Sequence, residues 1–383
     1  YIIENEIIKA DEIDKVVISS SVFLKKWAFT YAFELTENKK YYDIQNQKKP
    51  SDFFIDDKDY LKIQNDEDCR NYVNDKIKEL LISVGIKAQI EYIDHHLSHI
   101  ASAFYPSGFE DAVGLSIDGF GDFASICIAK CKNDEIEVIK KFLFPHSLGV
   151  FFESFTQMIG FKNYGDEYKM MGLSSYGKPK FVDLILNNIF KSENKIELNL
   201  KYFNHTNNNF SYNFEGKPNQ NDLFSKELEN LFNVNELTTE KITDTHKDIA
   251  ASAQKVFEIK LIEICKIIET MKISKNLVYA GGCALNSLAN RKIEQSNLFD
   301  NIFIPYAPGD GGGSIGSALY YYKKKNKKSI VENLKNPFIG SSYSNDDIEK
   351  IIEKTKKLNN FHYTYYENKL NLLKETSNLI FQN

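Results

Sequence analysis

The sequence predicts an α/β fold built on a mixed sheet, and three observations carry that reading. Val113 to Ile117, Phe123 to Ala129 and Ile136 to Phe144 follow one another closely as a meander of strands. Beyond them, strand-like runs alternate with helical patterns, the usual mark of parallel crossovers. Glycines cluster at three places where strands end, at Gly119 and Gly121, at Gly281 and Gly282, and at Gly311 to Gly313. Open α/β sheets bind ligands on that side.

Taken in order, each element has a local reason. Val16 to Ser19 is a short apolar strand, and residues 37–68, rich in Asp and Lys, are expected to be irregular surface. Val73, Ile77, Leu80, Leu81 and Val84 recur at helical spacing, with Gly85 as C-cap. Ile90, Tyr92 and Ile93 read as a buried strand leading into Asp94-His95-His96-Leu97-Ser98-His99 and a helical segment, Ile100 to Tyr105. After the meander, Leu148 to Ile159 is a helix. The insertion at 161–239 shows little periodicity, which leaves Glu167 to Gly172 open between a surface loop and a functional segment. Ile249, Ala253, Val256, Phe257, Leu261, Ile264, Ile268 and Met271 then mark one face of a long helix. Leu277 to Ala280 is a buried strand, Asn286 to Glu294 a helix and Asn301 to Ile304 a strand, and Ile315 to Tyr322 is a helix entered from a glycine-rich loop.

Three strands, helix, strand, helix, strand, helix is the order of the ribonuclease-H-like unit of the actin, hexokinase and Hsp70 (ASKHA) superfamily, in which two such lobes enclose a nucleotide cleft. The expected division is therefore 1–111 for what remains of a first lobe and 112–328 for a second lobe with the insertion; 329–383 follow as a linker and the start of another domain. Within that frame His95 and His99, spaced i, i+4, converge on one helix face, a common way to offer two imidazoles to one metal ion. Asp118-Gly119-Phe120-Gly121-Asp122 lets backbone amides approach phosphates, and Asp118 can hold a metal or polarise a water. Gly281, Gly282, Gly311 and Gly312 are expected to supply nucleoside and second-phosphate contacts.

Composition limits the function classes. With 42% hydrophobic residues over 383, the chain should bury a large core in two or three domains. A net charge of -5 argues against a nucleic-acid partner recognised by a broad basic surface. No run approaches a membrane span in length. Cys69, Cys127, Cys131, Cys265 and Cys283 are odd in number and show no CxxC pair, which fits a reduced, cytoplasmic setting. Cys127 and Cys131 share a strand face and read as core packing. His205, in an Asn-rich stretch, reads as surface, and the lysine run 323–328 reads as a solvated helix end. The chain starts at Tyr1 and stops at Asn383 inside an apolar run, so both ends read as cut.

Five motifs in order carry a specific resemblance. Asp94 to Phe104, Asp118 to Asp122, Glu167 to Gly177, Gly281-Gly282-Cys283-Ala284-Leu285-Asn286 and Pro308 to Gly312 resemble the O-carbamoyltransferases of the nodulation and antibiotic-tailoring type, relatives of the tRNA threonylcarbamoyl transferases. The resemblance covers about residues 90–345. It implies that a YrdC-like domain makes carbamoyl-adenylate from carbamoyl phosphate and ATP, and that the two-lobed domain passes the carbamoyl group to a hydroxyl of a sugar-like or secondary-metabolite acceptor. It further implies a divalent metal, iron first with zinc or manganese as alternatives, on His95, His99, Asp118 and Asp310. Adenosine contacts would fall to Gly281, Gly282 and Asn286, and Glu167 and Lys169 would line the nucleotide cleft. His96 is then the nearest unassigned base for the acceptor hydroxyl, with Asp118 its catalytic companion. The family's opening hairpin is missing before Tyr1, and 337–383 resemble only the lead-in to the YrdC-like domain. The oligomeric state stays open, a homodimer being one option. Two other readings stay open. A kinase of the same superfamily would use Mg²⁺ and release ADP, and has no need of three clustered histidines; a catalytically incomplete nucleotide- and metal-binding module would fit the missing ends.

Overall fold

The computed structural model describes residues 13–19, 75, 77–122, 124–191, 196–206, 212–213, 219–326, 342–356 and 363–382. The readings made for 37–68, Val73, Cys69 and the last lysines of the 323–328 run lie outside them. Contacts divide the chain into two units, Tyr1–Lys335 and Asn336–Asn383.

In the first unit the elements run β1 (Lys15–Ile18), β2 (Gln89–Tyr92), α1 (His95–Ser107), β3 (Asp111–Gly121), β4 (Ala124–Lys132), β5 (Glu135–Leu143) and α2 (Leu148–Met158). The insertion contributes α3 (Glu167–Ser174), α4 (Val182–Ile189), a two-residue hairpin pair β6 (Tyr212–Asn213) and β7 (Asn219–Gln220), and α5 (Lys226–Leu231). Then come α6 (Asp244–Thr270), β8 (Asn276–Ala280), α7 (Ser287–Gln295), β9 (Asn301–Phe303) and α8 (Asp310–Asn326). The second unit holds α9 (Asn345–Lys356) and α10 (Lys369–Gln382). The strands and helices expected from periodicity fall within a few residues of these bounds. Gly85, at φ 81, ends the helical segment over 77–83 as expected.

The main sheet has the order β5-β4-β3-β8-β9. β4 pairs antiparallel with both β3 and β5, whereas β8 runs parallel to β3 and to β9. A separate parallel pair joins β1 to β2, with Lys15 opposite Gln89 and Ile18 opposite Tyr92. No helix among the described residues is long and apolar enough to cross a membrane.

The two faces of the sheet differ in side-chain size, and that difference positions the site. Val113, Leu115, Ile117, Ile126, Ile128, Leu277 and Tyr279 point to one face and form the larger core with α2, the insertion and α6. Ala112, Cys127, Ala129, Cys131, Val278 and Ala280 point to the other, where α1 lies. Small residues let α1 press close to the strands: a Cβ on Gly114 would sit 2.5 Å from Cγ2 of Ile100. Cys127 and Cys131 are accordingly buried and unpaired, as core packing requires. α8 packs along α1 in turn.

Two surface readings need correction. His205 is only 6% exposed; its Nε2 lies 2.9 Å from the Pro145 carbonyl oxygen, and its ring meets Phe144 and Phe203 edge-on. Its Asn-rich neighbours hid an imidazole that packs as an aromatic. Lys323 is also buried, with Nζ 2.9 Å from Asp134 and 5.8 Å from the Tyr105 ring centroid, so only the later part of that helix end is solvated. Glu167 to Gly172 is helical, a segment of two turns too short for periodicity to reveal.

Substituting Gly114→Ala should destabilise the fold by roughly 1–3 kcal/mol, because a methyl there overpacks the contact with Ile100. Urea unfolding at equilibrium measures this, and an unchanged midpoint would contradict the close approach of α1.

Candidate metal and nucleotide site

The C-terminal ends of β3 and β8 and the N-termini of α1 and α8 converge on one point. α1 starts there because Asp94 caps it, its Oδ1 accepting from the Leu97 amide at 3.0 Å. The backbone N–H of His95 donates to Oδ2 of Asp122 at 2.8 Å, which ties the helix start to the β3–β4 turn. Gly121 makes the seat for the His95 ring: a Cβ there would lie 1.9 Å from its Cδ2. Gly281, at φ +94, passes so close to β3 that a Cβ would lie 2.2 Å from the Ile117 carbonyl oxygen. Its N–H donates to the Pro308 carbonyl at 2.8 Å and so joins the two glycine-bearing loops.

Four side chains meet at this point. The Nε2 atoms of His95 and His99 are 3.0 Å apart. Oδ2 of Asp118 stands 2.9 Å from Nε2 of His99 and 3.4 Å from that of His95. Oδ1 of Asp310 completes the group at 3.4 and 3.6 Å from the same two atoms. All four donor atoms lie within 4.8 Å of one another. Asp118 is held from behind, accepting from the Gly119 amide at 2.6 Å and the Gly282 amide at 3.2 Å.

The four groups act strongly on one another's ionisation. Burial disfavours a charged His99, but hydrogen bonds and charge from Asp118 and Asp310 outweigh it and push its pKa up to about 9. His95 is raised by the same balance, burial against Asp118. Burial likewise opposes ionisation of Asp118, yet its bonds to His95 and His99 hold it well below the ordinary carboxylate range. With both imidazoles deprotonated, as metal ligation requires, they and the two carboxylates would carry a net charge of about −2, which one divalent cation would neutralise. Separations near 3 Å are those of neighbouring ligands that each lie about 2.1 Å from one ion. Nδ1 of His99 is buried with no hydrogen-bond partner, so its ring is engaged through Nε2 alone. Imidazole with carboxylate suits iron, zinc or manganese.

The other expected residues divide. His96 is not placed to act as a base. It is fully buried, with Nδ1 2.9 Å from Oγ of Ser116 and Nε2 2.9 Å from the Ala124 carbonyl. A carbonyl only accepts, so Nε2 carries the proton and Nδ1 accepts from Ser116. Burial, with His95 beside it, lowers the pKa to about 4. The ring is a neutral pin joining α1 to β3 and β4. Asn286 is also committed inside the protein: its Oδ1 caps α7 at the Ala289 amide, and its amide exchanges two hydrogen bonds with that of Gln254. The Lys169 ammonium pairs with Asp166 at 2.7 Å, at the start of its own helix. Glu167 is half-buried and its carboxyl is pushed up by burial, with Asp166 and Asp118 adding to the effect. Among the glycines, Gly121, Gly281, Gly282 and Gly312 face protein atoms, and a Cβ on the last would lie only 1.8 Å from the Ala307 oxygen, whereas Gly119 and Gly311 face open space.

Two residues escaped the sequence reading. Glu153 is the sole charged residue of α2, a helix packed so close to the β3 end that a Cβ on its Gly149 would lie 2.6 Å from the Gly119 nitrogen. One acid on an otherwise apolar helix was the available signal. Tyr164 is 54% exposed but close to Asp310, Glu153, Asp118 and Glu167; burial of part of the ring and these charges push its phenol up to about 12. It had no signal in sequence, because its loop has no periodicity.

Replacing His96 with Ala should cost on the order of 3 kcal/mol, since it opens a cavity and leaves Ser116 and the Ala124 carbonyl unpaired. Denaturant unfolding measures it; wild-type stability would refute the pinning role.

Comparison with known proteins follows the geometry. The family profile described as the carbamoyltransferase N-terminus matches residues 1–319. The uncharacterized protein sll1178 of Synechocystis sp. is 34% identical over 272 residues, which is 68% of this chain and 42% of that protein. The nodulation protein NolNO of Sinorhizobium fredii is 28% identical over 271 residues, 68% of this chain and 35% of that protein. This chain thus spans well under half the length of these two curated relatives. Among solved structures, full-length HypF in its phosphate- and nucleotide-bound form covers 69% of this chain and 42% of its own at 14% identity, with a TM-score of 0.33, too slight a likeness to carry an argument. A match that takes in 319 of the 383 residues makes this chain a member of the carbamoyltransferase family, bearing its N-terminal region.

Proposed function

We propose that this chain performs the transfer step of an O-carbamoyltransferase, in which a hydroxyl of a small-molecule acceptor bonds to the carbamoyl carbon of carbamoyl-adenylate as the bond to the phosphate oxygen breaks, releasing AMP and the hydroxyl proton. The observation that supports this best is the meeting of His95, His99, Asp118 and Asp310 at the ends of β3 and β8. In this reading those four hold a divalent metal, iron before zinc or manganese. Such an ion, acting as a Lewis acid on the carbamoyl oxygen or the adenylate phosphate, supplies several kcal/mol of charge stabilisation.

The chain's own residues do the rest. The Gly119 and Gly282 amides fix the Asp118 carboxylate, and His96 fixes the helix that carries both imidazoles. Gly119 and Gly311 present backbone that a phosphate can approach without a side chain in the way. Glu167 stands within charge range of Asp118, and Glu167 and Glu153 within that of Tyr164. The sheet order β5-β4-β3-β8-β9 is that of a ribonuclease-H-like unit, which supports reading 112–328 as one lobe and 1–111, with its parallel β1–β2 pair, as part of another. A YrdC-like partner domain, beginning within 329–383, would make the adenylate from carbamoyl phosphate and ATP.

Anaerobic metal analysis of the purified chain tests the centre. Near-stoichiometric metal that is lost in a His95→Ala, His99→Ala double variant is expected. No metal in either protein, even after reconstitution with nucleotide, would favour the catalytically incomplete module instead. In this reading the insertion at 161–239 chooses the acceptor, which the position of its Tyr164 within charge range of Asp310 and Asp118 supports. Exchanging it with that of a relative should change which hydroxyl compounds are carbamoylated; unchanged preference would exclude that role.

A further inference from the structure

Asn286 does not present its side chain to a ligand, and what it does instead reaches the centre of the site. Its amide and that of Gln254, on α6, face each other in a reciprocal pair: Nε2 of Gln254 donates to Oδ1 of Asn286 at 3.0 Å, and Nδ2 of Asn286 donates to Oε1 of Gln254 at 2.9 Å. Both are buried, at 4% and 7% exposure. Gln254 is itself oriented by Glu258 one turn along the helix, where Nε2 donates to Oε1 at 3.1 Å. Asn286 is the anchor of the loop Gly281–Leu285. Its backbone N–H donates to the Cys283 carbonyl at 3.2 Å, and its Oδ1 accepts from the Ala289 amide. The same loop carries the Gly282 amide that donates to Oδ2 of Asp118, the oxygen 2.9 Å from Nε2 of His99.

We infer that Gln254 is a positioning residue for the metal centre, acting through Asn286 and the Gly282 amide on the Asp118 carboxylate. The chain of contacts contains no long step. Its buried amide pair has a single good geometry, because each group satisfies the other and neither has water to fall back on. Removing the Gln254 amide leaves Nδ2 of Asn286 buried without an acceptor and its Oδ1 with the Ala289 amide alone, and the loop is then free to relax away from Asp118. Groups that orient metal ligands in this way typically alter affinity by about 10–100-fold when lost.

This inference rests on the metal reading, and the experiment separates the two. Titrations of the whole chain with Fe²⁺ under anaerobic conditions, and separately with Mn²⁺, are followed by calorimetry. They are run for wild type, Gln254→Ala, Gln254→Met and Ile264→Val. Met keeps the volume of Gln and removes both bonds, so it serves if the Ala variant fails to fold. Ile264→Val trims the buried apolar face of the same helix and controls for general loosening. The expected result is affinity about 10–100-fold weaker in the Gln254 variants and unchanged in Ile264→Val. Wild-type affinity in Gln254→Met would overturn the inference while leaving the metal reading intact, and so would equal weakening in Ile264→Val at a similar fall in Tm. Failure of the unaltered chain to bind either ion would overturn the metal reading and this inference with it.

Discussion

The carboxylate of Asp118 is the constraint on which the site depends. One oxygen lies within reach of two imidazoles, and the group is gripped by two backbone amides from different strand ends. Neither set of contacts would hold alone. An ionised carboxylate in so buried a place needs compensation, and here it comes from donors on α1, on its own turn and on the loop after β8. Three segments far apart in the chain are tied to one atom pair, so the ends of β3 and β8 and the start of α1 must adopt one arrangement together.

That arrangement is possible because the sheet has a thin face. Ala, Gly, Ser and Cys on the α1 side let the helix descend onto the strands, and Ser116 at the end of that row receives His96. The thick face does the opposite work. Its Leu, Ile, Val and Tyr side chains bury most of the core and carry the insertion and α6. Packing on one side therefore supplies stability, and close approach on the other supplies register.

Much of this was legible in the sequence, for physical reasons. Alternating strands and an eight-position helical face on α6 announce themselves by period. The i, i+4 histidines point the same way on any helix, so His95 and His99 were readable without tertiary structure. His96, one residue on from His95, is rotated by about 100° and faces the sheet instead, which is why adjacency in sequence misled about its role. The resemblance implied a ligand contact for Asn286, but a residue at a helix start is as readily a cap, and the position of Gln254 across the core commits its side chain inside the protein. Lys169 could not be assigned because its partner, Asp166, lies within a segment that has no periodic signal. Asp310 joined the histidines through topology rather than spacing, more than 200 residues away.

The four donors are unequally sheltered. His99 is fully enclosed, and the His95 and Asp118 side chains are about 14% and 15% exposed, whereas that of Asp310 is 66% exposed. Under the metal reading, a cation arriving from solvent would meet a carboxylate on the rim first and the imidazoles last. The interior three are already fixed by the surrounding hydrogen bonds before any ion comes. Loading would then be a docking event on preformed ligands, and the rim carboxylate would govern how fast an ion enters or escapes more than how the chain reaches its fold.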